Sequence, residues 1–218
     1  MIDPRLYLVT GDTGGRPLAD VVAAAVAGGV TLVQLRDKAA TREQLTTTYE
    51  LLSKSIAGSG VPIIVNDDAE TAKVVGAAGI HVGPDDVQPG MARAQLEADA
   101  VIGWSVHDFE QLHESDQVAA SDYLAASPVW KTQTKPNTTE PFGLAGVADL
   151  RRIMPPRLPL VAIGGINAGN AADVIAAGAD GIAVVSAICA ADDPEHAARE
   201  LRAIVDGALG HRRSAKEG

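Results

Sequence analysis

The sequence predicts an α/β fold, a single (β/α)8 TIM barrel, on three observations. Short apolar runs of strand length alternate with longer alanine-rich or amphipathic runs of helix length throughout the 218 residues. Eight such units, each of about 25 to 30 residues, suit a barrel whose usual size is around 250 residues. Polar side chains also gather where the strands end, the place where such a barrel builds its site. An open doubly wound sheet would carry fewer repeats and a dinucleotide-binding turn, and Gly11-Asp12-Thr13-Gly14-Gly15 lacks that spacing.

Each element has its own signal. The apolar runs Leu6 to Thr10, Thr31 to Arg36, Pro62 to Asn66 and Gly79 to Val82 supply the first four strands, and Val101 to Ser105, Tyr123 to Ala126, Leu160 to Ile163 and Gly181 to Val184 supply the rest. Between them, helices are expected at Leu18 to Ala27, Arg42 to Ala57, Ala69 to Ala77, Ala92 to Leu96, Phe109 to Ala119, Leu144 to Ile153, Ala171 to Ala177 and His196 to Leu209. Gly28, Gly58 and Gly178 stand where helix C-termini are expected. Residues 1 to 209 are read as one catalytic barrel domain, and the polar, aperiodic stretch from 210 to 218 as a disordered tail. The stretch from Ser127 to Pro141 is too long for a plain turn and is expected to act as a lid or ligand clamp.

Composition excludes several classes. A formal net charge of −10 with no basic run argues against nucleic acid as a partner. The single cysteine, Cys189, rules out a disulfide framework and is read as a small buried hydrophobe in a reducing cytoplasm. No apolar stretch reaches the roughly 18 residues of a membrane span. A homodimer is left open.

The strand ends carry the chemistry. In Gln34-Leu35-Arg36-Asp37-Lys38, alternation puts Gln34, Arg36 and Lys38 on one side of an extended chain. Such groups are costly to bury unpaired, so they point to a ligand, and a phosphate is the natural one. Asn66, Asp67 and Asp86 form a hard-oxygen set suited to Mg²⁺ held by one or two carboxylates, waters and a substrate phosphate. Asp67 and Asp68 also read as helix caps, a reading favoured for Asp68. Gly164-Gly165 and Val185-Ser186, after the last two strands, match the place where many barrels bind a phosphate through backbone N–H groups. Ser105, Thr132, Gln133, Thr134 and Lys135 complete the polar ends. His81, inside an apolar strand, reads first as a structural histidine, His107 is evenly balanced, and Trp104 and Trp130 read as core residues.

Taken in order, Gln34-Leu-Arg-Asp-Lys38, Val65-Asn-Asp-Asp68, Gly79-Ile-His-Val-Gly83 with Asp86, Thr132-Gln-Thr-Lys135, Ile163-Gly-Gly-Ile166 and Val185-Ser186 resemble the thiamine phosphate synthase family from the first strand to the last helix. Lys131 and Trp104 depart from the residues more usual at their places. The resemblance implies a Mg²⁺-dependent transferase that joins a hydroxymethylpyrimidine diphosphate to a hydroxyethylthiazole phosphate, plain or carboxylated, releasing pyrophosphate by a dissociative, carbocation route. It also implies roles: Gln34 on the pyrimidine, with Leu35 and Asp37 in the same binding segment; Arg36, Lys38 and Lys135 on the diphosphate; Asn66, Asp67 and Asp86 around the magnesium. Ser105 would meet the diphosphate or the pyrimidine. Thr132, Gln133 and Thr134 would meet the thiazole phosphate, with Gly165, Val185 and Ser186 cradling it. The rivals are a thiazole tautomerase of the same superfamily, another phosphosugar barrel, and a phosphate-binding barrel without catalysis.

Overall fold

A computed structural model describes residues 2–132 and 140–217. Eight parallel strands close into a barrel in sequence order, β1 beside β8. They are β1 (Leu6–Val9), β2 (Leu32–Leu35), β3 (Ile63–Asn66), β4 (Gly79–Val82), β5 (Val101–Val106), β6 (Tyr123–Ala126), β7 (Leu160–Ile163) and β8 (Gly181–Val184). The strands are short and buried because both faces are covered, the outer one by helices, so continuous apolar runs rather than alternation mark them in the sequence.

The helices are α1 (Leu18–Ala27), α2 (Arg42–Ser55), α3 (Ala69–Val74), α4 (Pro89–Gln95), α5 (Ser115–Ala120), α6 (Gly143–Ile153), α7 (Ala171–Ala176), α8 (Ser186–Cys189) and α9 (Pro194–Glu217). Four differ from expectation. α4 starts at Pro89, which fits the first helical turn because its missing N–H would be unbonded there anyway. The helix expected from Phe109 to Ala119 splits into a 3₁₀ turn (Glu110–His113) and α5. Buried Gln111 draws that turn onto β5: its Oε1 accepts from the His107 N–H at 2.6 Å and its Nε2 donates to the Ser105 carbonyl at 3.2 Å. α8 is an unexpected extra turn after β8. The tail expected to be disordered continues α9 as far as Glu217. Its anchor is Arg212, which donates to the Ile175 and Ala179 carbonyls and pairs with Asp180 at 2.5 Å. Among the described residues, no helix is long and apolar enough to cross a membrane.

Two apolar layers result. The outer layer, between strands and helices, holds Leu6, Leu8, Val33, Leu35, Ile80, Trp104, Leu124 and Val184. The inner layer fills the barrel with Tyr7, Val9, Leu32, Ile64, Tyr123, Ala125, Val161 and Ala183. Two tyrosines fit inside because their neighbours are small. A methyl group on Gly103 would lie 2.1 Å from Cζ of Tyr123, so the ring occupies the space a larger residue would take. Register places His81, Gly103 and Tyr123 side by side on β4, β5 and β6.

Candidate active site

At the C-terminal mouth of the barrel is a cavity of about 330 Å³, the place where strand-end side chains of this fold converge. Its floor is Tyr7, Gln34, His81 and Ser105. Arg36 and Asn66 line one side; Thr132, Gly164, Gly165, Val185 and Ser186 line another. Of the segment on β2, the structure brings Gln34 and Arg36 to the cavity. Leu35 faces away into the outer layer, and exposed Asp37 accepts from the Ala39 N–H at 3.0 Å; neither lines the cavity. The cause is the two-residue period of an extended chain, which sends Leu35 to the face opposite Gln34 and Arg36.

Arg36 is held from below. Its N–H donates to Thr10 Oγ1 at 2.8 Å, and that hydroxyl donates to the Arg36 carbonyl at 3.0 Å, fixing β2 to the end of β1. Among the described residues its guanidinium pairs with no carboxylate, which leaves it for an anion in the cavity. Lys38 is half-exposed and pairs with Asp67 at 3.1 Å.

Asp67 follows β3 at φ +61°, a left-handed backbone uncommon for a residue with a side chain and frequent at functional sites. Burial pushes its carboxyl above the ordinary carboxylate range, and the adjacent Asp86 carboxylate pushes the same way against Lys38. Asp86 accepts from the Gly83 N–H at 2.9 Å. Two carboxylates in contact and resisting joint ionisation form an oxygen-donor pair that a hard cation would relieve. Asp68, by contrast, caps α3: its Oδ1 accepts from the Thr71 N–H at 2.9 Å.

The opposite rim comes from the ends of β7 and β8. Gly164 (φ +107°) and Gly165 (φ +70°) need glycine both for backbone angle and for space, since a methyl on Gly165 would sit 3.0 Å from Cβ of Trp130. Val185 and Ser186 join β8 to the short α8. Bare backbone beside a short added helix after β7 and β8 is how barrels of this kind bind phosphate. Gln133, Thr134 and Lys135 lie outside the described residues. His107 does not line the cavity. Cys189 is buried, with burial raising its thiol, and Trp104 packs in the outer layer away from the site.

The feature not foreseen is a chain of hydrogen bonds across the barrel floor. Gln34 Nε2 donates to the Tyr7 hydroxyl, which bonds the Tyr123 hydroxyl at 3.0 Å. Tyr123 in turn meets Nδ1 of His81 at 2.8 Å, and Nε2 of His81 meets Oγ of Ser105 at 2.9 Å. Burial raises both tyrosine hydroxyls well above the ordinary phenol range, so they stay neutral and each carries one proton. A tyrosine inside a buried strand was the available signal, because its hydroxyl needs a partner there.

The comparisons with known proteins decide the family. A family model described as thiamine monophosphate synthase matches residues 6–188. The chain belongs to that family. It is 48% identical over 204 residues to the thiamine-phosphate synthase of Albidiferax ferrireducens, covering 93% of this chain and 92% of that one. The thiamine-phosphate synthase of Chloroflexus aurantiacus is 46% identical over 208 residues, with 94% of each chain covered. Among solved structures, the thiamine phosphate pyrophosphorylase of Pyrococcus furiosus superposes with a TM-score of 0.84 at 33% identity over 95% of this chain and 98% of that one. A 3-hexulose-6-phosphate synthase shares the fold alone, at a TM-score of 0.66 and 19% identity over 92% and 99% of the two chains. Family membership and the closed eight-stranded barrel therefore stand as the sequence predicted.

Proposed function

We propose that this chain is a transferase that joins an aminopyrimidine methyl diphosphate to a thiazole phosphate and releases pyrophosphate. The observation that carries this reading is a cavity with two anion-binding ends. Arg36 and Asn66 line one, with Lys38 and the Asp67–Asp86 pair outside the cavity lining, while bare backbone at Gly164, Gly165 and Val185-Ser186 lies at the other. A tautomerase would need only the second end, and a binding module would need no carboxylate pair. The floor between the ends is built from Tyr7, Gln34, His81 and Ser105 and suits a heteroaromatic ring bound through Gln34.

On this reading the protein lowers the barrier by stabilising charge on the departing diphosphate. Carbon–oxygen cleavage leaves a carbocation conjugated with the aminopyrimidine, and the thiazole nitrogen then supplies the electron pair of the new bond. Neither step consumes a proton, so no general base is needed. Arg36, Lys38 and, from the segment beyond Thr132, Lys135 would bind the diphosphate oxygens, with Ser105 donating to the same group or to the ring. Preorganised cations in an enclosed site serve such charge well. Mg²⁺ would be held by Asp67 and Asp86, with Asn66 beside them, and would supply further positive charge for the diphosphate. The single, buried Cys189 suits a cytoplasmic setting.

Mixing the two precursors with purified protein should yield thiamine monophosphate and one equivalent of pyrophosphate only with a divalent cation. Binding of both precursors without pyrophosphate would leave a non-catalytic barrel as the better reading.

The carboxylate pair gives a second expectation. A carboxyl raised by folding holds its proton more tightly in the folded than in the unfolded chain. The metal-free protein therefore loses stability as pH rises from the ordinary aspartate value of about 3.9 through the raised folded value. Asp86→Asn removes the repelling charge and keeps an oxygen for the Gly83 N–H. At pH 8 without metal its melting temperature should be no lower than that of the parent, while activity falls by about 10²-fold. The variant should also lose the rise in melting temperature that Mg²⁺ with pyrophosphate gives the parent; an undiminished rise would remove Asp86 from the metal site.

A further inference from the structure

The glycine-rich turn after β1, Gly11-Asp12-Thr13-Gly14-Gly15, does not line the cavity, yet it is fastened to an element that does. Arg16 closes that turn. Its N–H donates to the Thr13 carbonyl at 3.4 Å, and its own carbonyl accepts from the Thr13 hydroxyl at 2.6 Å. The guanidinium then crosses to α8. Nη2 donates to the Cys189 carbonyl and Nη1 to the Ala191 carbonyl, both at 2.7 Å, while Nε returns to the Thr13 carbonyl at 3.0 Å. The carbonyls of Cys189 and Ala191 are of the kind that a helix C-terminus leaves open. Among the described residues the Arg16 side chain hydrogen-bonds to backbone alone. Two further contacts bind the same two elements. A methyl on Gly11 would lie 2.3 Å from Cγ1 of Val185, so bare backbone is what lets the turn lie against the end of β8. The Cys189 thiol donates to the Val9 carbonyl at 3.8 Å.

α8 needs such support, because it has four residues and a helix so short does not hold itself in water. Its own bonds are few. The N–H groups of Ile188 and Cys189 donate to the Val185 carbonyl at 3.2 and 2.8 Å, and that of Ala190 to the Ser186 carbonyl at 3.1 Å. Val185 and Ser186 line the phosphate end of the cavity, so a shift at one end of this single turn is felt at the other. We infer that Arg16 is a positioning residue for phosphate binding: by gripping the carbonyls of Cys189 and Ala191 it fixes the Val185-Ser186 backbone, with Gly11 as the bare surface against which Val185 rests. This rests on the reading of that end of the cavity as the thiazole phosphate subsite. The forked shape of the side chain matters more than its charge. A lysine keeps the charge but presents one point of donation, and it cannot span carbonyls that the guanidinium reaches from separate nitrogens. A cradle that holds the phosphate equally before and during reaction affects KM and leaves kcat alone.

The test measures kcat and the KM of each substrate in the parent, Arg16→Lys, Gly11→Ala and, as a control, Arg93→Lys. Arg93 makes a link of the same kind, to the carbonyls of Ala100 and Ala120, but on the side of the barrel where β5 begins and outside the cavity lining. Arg16→Lys should raise KM for the thiazole phosphate about tenfold and move kcat and the KM of the pyrimidine diphosphate by no more than about twofold. Gly11→Ala keeps the guanidinium but displaces Val185, and it should give the same split. Arg93→Lys should lower the melting temperature comparably without any split, since lost stability alone treats the two substrates alike. Equal changes in both KM values for Arg16→Lys, or no change in either, would reduce the residue to a structural strap and overturn the proposal. A second measurement needs no substrate: amide hydrogen exchange at Cys189 and Ala190 should quicken in Arg16→Lys and not in Arg93→Lys. Unchanged exchange there overturns the positioning role even if the chemistry stands. Quickened exchange in a protein whose parent binds no thiazole phosphate would overturn the proposal through the function on which it rests, not through the grip of Arg16 on α8.

Discussion

Arg36→Ala should lower the single-turnover rate at saturating substrates by about 10²-fold or more while weakening pyrimidine diphosphate binding much less. The guanidinium sits at the end of β2, with its backbone tied to Thr10 on both sides, and it reaches the cavity without a carboxylate partner among the described residues. A cation so placed needs no rearrangement when the carbon–oxygen bond breaks and charge grows on the leaving group. Its interaction therefore strengthens in the transition state. Lys38 differs, being half-exposed and already paired with Asp67. Lys38→Ala should cost less than Arg36→Ala, and the double variant should depart from the product of the single effects because both cations face one developing charge. Rapid-quench kinetics and equilibrium binding on the three variants measure this. If only affinity falls, Arg36 holds substrate and contributes nothing to the chemical step.

At the other end of the cavity, Ser186→Asp should weaken thiazole phosphate binding by about 10²-fold, on the order of 3 kcal/mol, and disturb pyrimidine diphosphate binding far less. Ser186 is exposed at the start of α8 and lines the cavity beside Val185, on the same side as the bare backbone at Gly165. A carboxylate there meets a phosphate at close range in a site only partly screened by water. Because the position is exposed, the substitution should leave the melting temperature nearly unchanged, which separates repulsion from misfolding. Calorimetric titration with each substrate alone distinguishes the ends. Equal weakening of both would mean that the two phosphate groups share one subsite.

Both variants use residues that the chain declares openly. An apolar run of four to six residues, repeated eight times between helix-length segments, is enough to specify a parallel barrel, because each such strand must be covered on both faces. The period of a strand likewise puts Gln34 and Arg36 on one face, and a helix-capping aspartate such as Asp68 is read from its place before α3. Local chemistry also fixes the glycine pair after β7. These are short-range matters, decided within a few residues by sterics and backbone hydrogen bonding.

What lay beyond the sequence depended on contacts between distant segments. Leu35 and Asp37 share a motif with Gln34 and Arg36, yet pleat and turn carry them elsewhere. Buried Gln111 breaks a helix by reaching back to β5, and Arg212 extends α9 through carbonyls more than 30 residues earlier. His81 read as a structural histidine and is one, but it also forms the cavity floor. Tyr7 and Tyr123 stand 116 residues apart and meet only because closure of the barrel brings β1 and β6 around a shared interior, where small residues at 103, 125 and 183 leave room for two rings. The sequence by itself determined the strands, their order and the polar and glycine-rich residues at the two ends of the cavity. Only the tertiary structure decided how the floor between them is hydrogen-bonded, because that depends on which inward-facing side chains a closed barrel forces together and no spacing along the chain encodes it.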